Sequence, residues 1–162
     1  MTRIAVLLWC CLCTSAAWGD VDNPYGNVMF VTTGITLSIT NNQTTYNLVH
    51  GGSTANTSRG TFNSTIAPRT INIARFWCAL DAAPAGIAVR TITLESCSTD
   101  GCTPAATSLT CAITGSQTRC EGTVAGGVTI PARSRMDVAV ANTGTGPVSA
   151  NLACVWYVSI IS

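Results

Sequence analysis

The chain has 162 residues and a formal net charge of +1, and charged residues make up only 9% of it, against the ~25% of an ordinary soluble protein. That length fits one domain, and the near-zero charge excludes the clustered Lys and Arg that phosphate contacts need, so no nucleic-acid partner is expected. All eight basic residues are Arg, which removes Schiff-base, P-loop and isopeptide chemistry, and the single His, His50, removes a His-rich metal site.

Residues 1–19, MTRIAVLLWCCLCTSAAWG, read as a signal peptide. Arg3 supplies the positive start, a short apolar core runs from Ile4 to Cys13, and Ala17-Trp18-Gly19 places small residues three and one before a cut ahead of Asp20. The apolar run is about ten residues, half of the ~20 that span a bilayer. Loss of the leader removes Arg3 and leaves seven arginines against seven acids. Residues 20–33 are expected as an N-terminal arm and residues 34–162 as the folded domain, in a secreted protein of a cell surface or a virion.

After the leader no helical periodicity appears, and Thr, Ser, Asn and Gly alternate with short apolar runs. Branched Cβ atoms pack well on a pleated surface, so these runs read as strands. In chain order they are 28–32, 35–39, 45–49, 60–66, 70–80, 88–95, 108–114, 118–124, 133–141 and 150–161. Turn residues separate them: Asn41-Asn42, Gly51-Gly52, Pro84 within 81–86, Asp100-Gly101, Gly115-Ser116, Gly126-Gly127 and Pro147 after Gly144. Many short strands at this spacing mean an all-β sandwich or barrel. Residues 41–64 form the most polar stretch and hold three sequons, at Asn42, Asn56 and Asn63, which are candidate N-glycosylation sites.

Six cysteines remain beyond the leader: Cys78, Cys97, Cys102, Cys111, Cys120 and Cys154. An even number in an exported domain reads as three disulfides. If Gly115-Ser116 is a two-residue turn with Gly first, Thr114 faces Gln117 and, counting outward, Cys111 faces Cys120. That is a non-hydrogen-bonded pair with Cα atoms ~4.5 Å apart, within disulfide range. Cys97 and Cys102 flank Ser-Thr-Asp-Gly, a turn sequence that brings them together. Elimination leaves Cys78 with Cys154. Cys78 is in phase with Phe76 and Leu80, and Cys154 with Leu152, Trp156 and Val158, so both point inward.

From about residue 39 to residue 160 the chain resembles the jelly-roll β-sandwich modules of tailed-bacteriophage structural and fibre proteins. The resemblance runs through TTYNLVHGGSTANTSRGTF, then INIARFWCALDAAPAGIAVRTITLES with its L-D-A-A-P-A-G turn. LTCAITGSQTRC, VTIPARSRMDVAVANTGT and ANLACVWYVSI follow. Such modules carry a Gly-Asp where this chain has Ala132-Arg133. The resemblance implies a jelly-roll antiparallel sandwich of about eight to ten strands, packing side by side with its neighbours, often around a threefold axis.

Chemistry is sparse. The acids Asp81, Glu95, Asp100, Glu121 and Asp137 are scattered, and nothing in the sequence pairs two of them as glycoside hydrolysis requires. Asp81 and Asp100 stand in turns, no GxSxG accompanies His50, and too few acids are present to suggest calcium. No enzyme, metal or cofactor is expected. Trp77 and Tyr157 fall on the faces of their strands opposite Phe76 and Trp156, and so form a candidate outer contact patch. The expected function is an exported structural subunit that associates with itself, as a trimer or filament, through Trp77 and Tyr157. A secreted module binding a surface glycan or a receptor is the alternative.

Overall fold

The computed structural model describes residues 28–39, 42–49, 57, 64–84, 86–98, 102–144 and 148–161. Nine strands form among them: β1 (Val28–Ile39), β2 (Thr44–Asn47), β3 (Thr65–Ile66), β4 (Ile71–Leu80), β5 (Val89–Cys97), β6 (Ala105–Thr114), β7 (Arg119–Ile130), β8 (Arg135–Thr143) and β9 (Val148–Ile160). One sheet has the order β1-β9-β4-β7 and the other the order β2-β8-β5-β6, with β3 also on β8; every pairing is antiparallel. This strand order is that of a jelly roll, in which the chain crosses repeatedly between two packed sheets.

The alternation of apolar and polar residues sets which face of each strand is buried. Leu152, Cys154, Trp156 and Val158 of β9 point into the core, as do Ile92 and Leu94 of β5 and Met136, Val138 and Val140 of β8. In β4 the phase changes once: Ile71 and Ile73 point inward, and so do Phe76, Cys78 and Leu80. A register shift between Ile73 and Arg75 absorbs Ala74 as a bulge, and all five apolar side chains therefore stay on one face. Phe76 and Trp156 stack at the centre, 4.5 Å between centroids and 8° between planes. Arg90 is buried in phase with Ile92, and this burial pushes its guanidinium pKa down.

Two expectations about local structure are corrected. First, residues 28–32 and 35–39 are one strand, β1, with an irregularity between Thr32 and Ile35. Residues 28–33, assigned to the arm, thus lie in the sheet, and residues 20–27 lie outside the described residues. Second, β6 and β7 do not form a two-stranded ladder. The turn itself forms, with Gly115 at φ 58° and the Gln117 N–H donating to the Thr114 carbonyl at 3.0 Å. Beyond it the strands join different sheets: Cys111 pairs in register with Ile92, and Cys120 with Cys78. Longer partner strands win over the short hairpin, because each strand then has a full ladder and an apolar face toward the core.

The three disulfides join Cys78 to Cys154, Cys97 to Cys102 and Cys111 to Cys120. Cys78 and Cys154 are register partners on adjacent strands, with Cα atoms 4.1 Å apart. Cys111–Cys120 spans the two sheets, at 5.8 Å rather than the ~4.5 Å of a direct ladder pair. Cys97–Cys102 closes the start of the β5–β6 connection. A domain with three such bridges belongs to an oxidising, extracellular setting.

β2 and β3 occupy the same edge of β8 in succession, Asn47 opposite Val138 and Thr65 opposite Met136. The β2 ladder ends at Asn47 and the β3 ladder begins at Thr65, whose hydroxyl accepts the Val49 N–H at 3.2 Å. His50, Asn56, Asn63 and Asp100 lie outside the described residues. Asn42 is exposed, at φ 55°, in the turn before β2.

Candidate interaction surface

The outward residues of β4, β7 and β9 assemble one surface on the β1-β9-β4-β7 sheet, and the register explains its contacts. Trp77 stands opposite Val155 on one side and Glu121 on the other, and Arg75 stands opposite Tyr157 and Thr123. Trp77 and Tyr157 are therefore diagonal neighbours; their rings meet edge to face at 5.2 Å and 87°. Arg75 lies two residues from Trp77 on the same face, with its guanidinium carbon 4.2 Å from the indole centroid. Its Nε reaches Glu121 at 2.5 Å.

Alanines lie beside this cluster. Ala153, Ala79 and Arg119 form the next row across β9, β4 and β7. Short side chains there, below a large indole, leave an open cleft of about 630 Å³ lined by Trp77, Ala79, Arg119, Glu121, Ala153 and Val155. Trp77 keeps 39% of its surface exposed, while Trp156 on the other face of the sheet keeps none. Sequence phase alone placed Trp77 and Tyr157 outward; the structure brings them into contact. Arg75 and Glu121 were missed as their partners. The i, i+2 spacing from Trp77 was the available signal for Arg75, whereas Glu121 depends on β7 lying beside β4.

The carboxyl pKa of Glu121 lies below its ordinary value, because the Trp77 side chain and then Arg75 hydrogen-bond to it, with the Arg75 charge adding to the effect. A depressed carboxylate contributes its interaction above the unfolded-state pKa and loses it as pH falls through the folded-state value. Acidification through and below the ordinary carboxylate range is therefore expected to release Trp77 from Glu121. Acrylamide quenching of the exposed indole should rise in an acid step that Glu121→Gln lacks. A step of equal size in that variant would assign the change elsewhere.

Beyond Glu121, the described carboxylates are Asp81, Glu95 and Asp137. Glu95 and Asp137, which no sequence pattern linked, are register partners on β5 and β8, both buried, and each already holds a polar interaction. Asp81 closes the β4 end: its carboxylate accepts the Asn151 backbone N–H at 2.7 Å and the Asn151 side-chain amide at 2.6 Å. Among the described residues no group of three or more His, Cys, Asp or Glu is placed to hold a metal ion.

No family model matches the chain, and no curated protein matches it. Among solved structures it is similar to the Eiger TNF of S. frugiperda, at 10% identity over 68% of this chain and 73% of that one, with a TM-score of 0.36.

Proposed function

We propose that this is an exported, non-enzymatic assembly protein whose outer β1-β9-β4-β7 face meets a second copy. The observation that carries the reading is the Trp77–Tyr157 pair: a large indole, part exposed, braced by Arg75 and Glu121 on a rigid sheet. A pre-ordered aromatic loses little side-chain entropy on burial, and aromatics of this kind anchor interfaces. The chain's near-zero net charge supports close packing of copies, since little self-repulsion opposes it. A cell-surface layer and a virion coat matured through a secretory pathway both fit this description. The structure leaves residues 28–33 in their own sheet, so a neighbour-binding arm is restricted to residues before 28.

A second reading has its own observation. The alanine-floored cleft beside Trp77 offers an indole wall with Glu121 and Arg119 at its rim, a combination suited to a sugar ring. Light scattering on the secreted protein separates the two. Trp77→Ala with Tyr157→Ser is expected to lower the molar mass toward the monomer while the far-UV spectrum stays that of the wild type. An unchanged oligomer in the double variant rejects the face contact. A wild-type monomer that binds immobilised glycans through Trp77 favours the second reading.

A further inference from the structure

The four sheet edges are not alike. β1 carries an irregularity between Thr32 and Ile35, and the β2–β3 edge consists of two short separate ladders on β8, Thr44–Asn47 and Thr65–Ile66. β7 turns through Gly126 and Gly127, at φ 75° and 71°. β6 is irregular only in its first half, where the Thr107 hydroxyl donates to the Leu94 carbonyl at 2.8 Å. From Leu109 to Thr114 it alternates without a break: Leu109, Cys111 and Ile113 are buried, and Thr110, Ala112 and Thr114 are exposed. This stretch has no charge, no proline and no glycine. Among the described residues no strand pairs with its free side. Such an edge presents open N–H and C=O groups and has none of the devices that usually block pairing.

We propose that the free edge of β6 pairs antiparallel with β6 of a second copy, about a two-fold axis at the level of the Cys111–Cys120 disulfide. The second copy is the occupant because this edge is complementary to itself. Symmetry about Cys111 sets Thr110 opposite Ala112 of the other copy and Leu109 opposite Ile113, so no like charges meet. The disulfide ties Cys120 of β7 to the same level. The same axis then carries Arg119 of one copy toward Glu121 of the other, and the reverse, an attractive exchange on the neighbouring edge. Five or six residues suffice for a strand, which matches the regular stretch. The contact deepens the assembly reading; its strand edge is separate from the Trp77–Tyr157 pair, while Arg119 and Glu121 border both. One face contact and one edge contact on the same subunit generate an extended array rather than a closed pair.

The register makes the test specific. Thr110→Lys with Ala112→Lys places like charges directly opposite one another across the proposed axis, twice. Thr110→Lys with Ala112→Glu places opposite charges there. Both variants alter the same exposed positions, so a folding defect affects both. Sedimentation of the Trp77→Ala, Tyr157→Ser background isolates the edge contact. The Lys/Lys form is expected to dissociate with a dimer constant weakened about tenfold or more and partly restored by salt, while the Lys/Glu form stays paired. Equal behaviour of the two forms in a protein that still associates overturns the edge contact and leaves the assembly reading standing. A monomer in every form, wild type included, overturns both.

Discussion

Replacing Cys78 and Cys154 together by alanine is expected to cost about 4 kcal/mol of stability, the largest loss among the three bridges. The bridge closes a sequence separation of 76 residues, against 9 for Cys111–Cys120 and 5 for Cys97–Cys102. On the chain-entropy relation the two shorter bridges contribute about 2–3 kcal/mol each. Alanine suits the site, because Cys78 and Cys154 are buried and a serine would place a hydroxyl among apolar neighbours. For a domain of this size the loss corresponds to a fall in Tm of roughly 10–15 °C. Accessibility adds an order of reduction: Cys97 and Cys102 are half-buried, and a mild reductant should open that bridge first. Denaturant unfolding of the three double variants reads the ranking directly. A larger loss from Cys97→Ala with Cys102→Ala would reverse the account of what holds the sandwich together.

Phe76→Ala and Trp156→Ala are each expected to cost about 3–5 kcal/mol. Both side chains are fully buried, and they stack on one another where β4 and β9 pair in register. Their double variant should lose less than the two single losses combined, by about 1 kcal/mol, because the ring–ring contact is then counted once. Gly122 belongs to the same arrangement. It is the register partner of Phe76 on β7, and a Cβ there would overlap the Phe76 ring. Gly122→Ala should therefore destabilise by about 1–3 kcal/mol through overpacking, and Phe76→Leu in the same chain should recover part of that loss. Strict additivity of Gly122→Ala and Phe76→Leu in urea unfolding would show that the ring does not set the requirement for glycine.

Legibility in the sequence followed the range of the interaction. Phase along a strand is local, and it placed Phe76, Cys78, Cys154 and Trp156 inward and Trp77 and Tyr157 outward. The Cys97–Cys102 bridge and the Gly115-Ser116 turn are local as well. What escaped depends on which strands become neighbours. The single-residue bulge at Ala74 leaves no mark in composition, yet it reconciles Ile73 with Phe76. The separation of β6 and β7 into different sheets is decided by their partners β5 and β4, so the Cys111–Cys120 pairing emerged from a ladder that does not form. Glu95 stands opposite Asp137 in register, and Glu121 meets Arg75, across strands separated by long stretches of chain. The same reasoning explains the interaction surface: its aromatic half could be read from alternation, whereas its charged half needed the sheet order.

Association of the folded subunit is the claim on which the functional account turns, and sedimentation velocity on the secreted protein over a wide concentration range tests it most directly. If residues 1–19 are cleaved, as the proposal holds, Trp77 and Trp156 are the remaining tryptophans, and of these only Trp77 is exposed. The account predicts species heavier than the monomer that grow with concentration, together with a matching fall in acrylamide quenching as Trp77 becomes covered. A single species of monomer mass at every concentration, with Trp77 equally quenchable throughout, would contradict it.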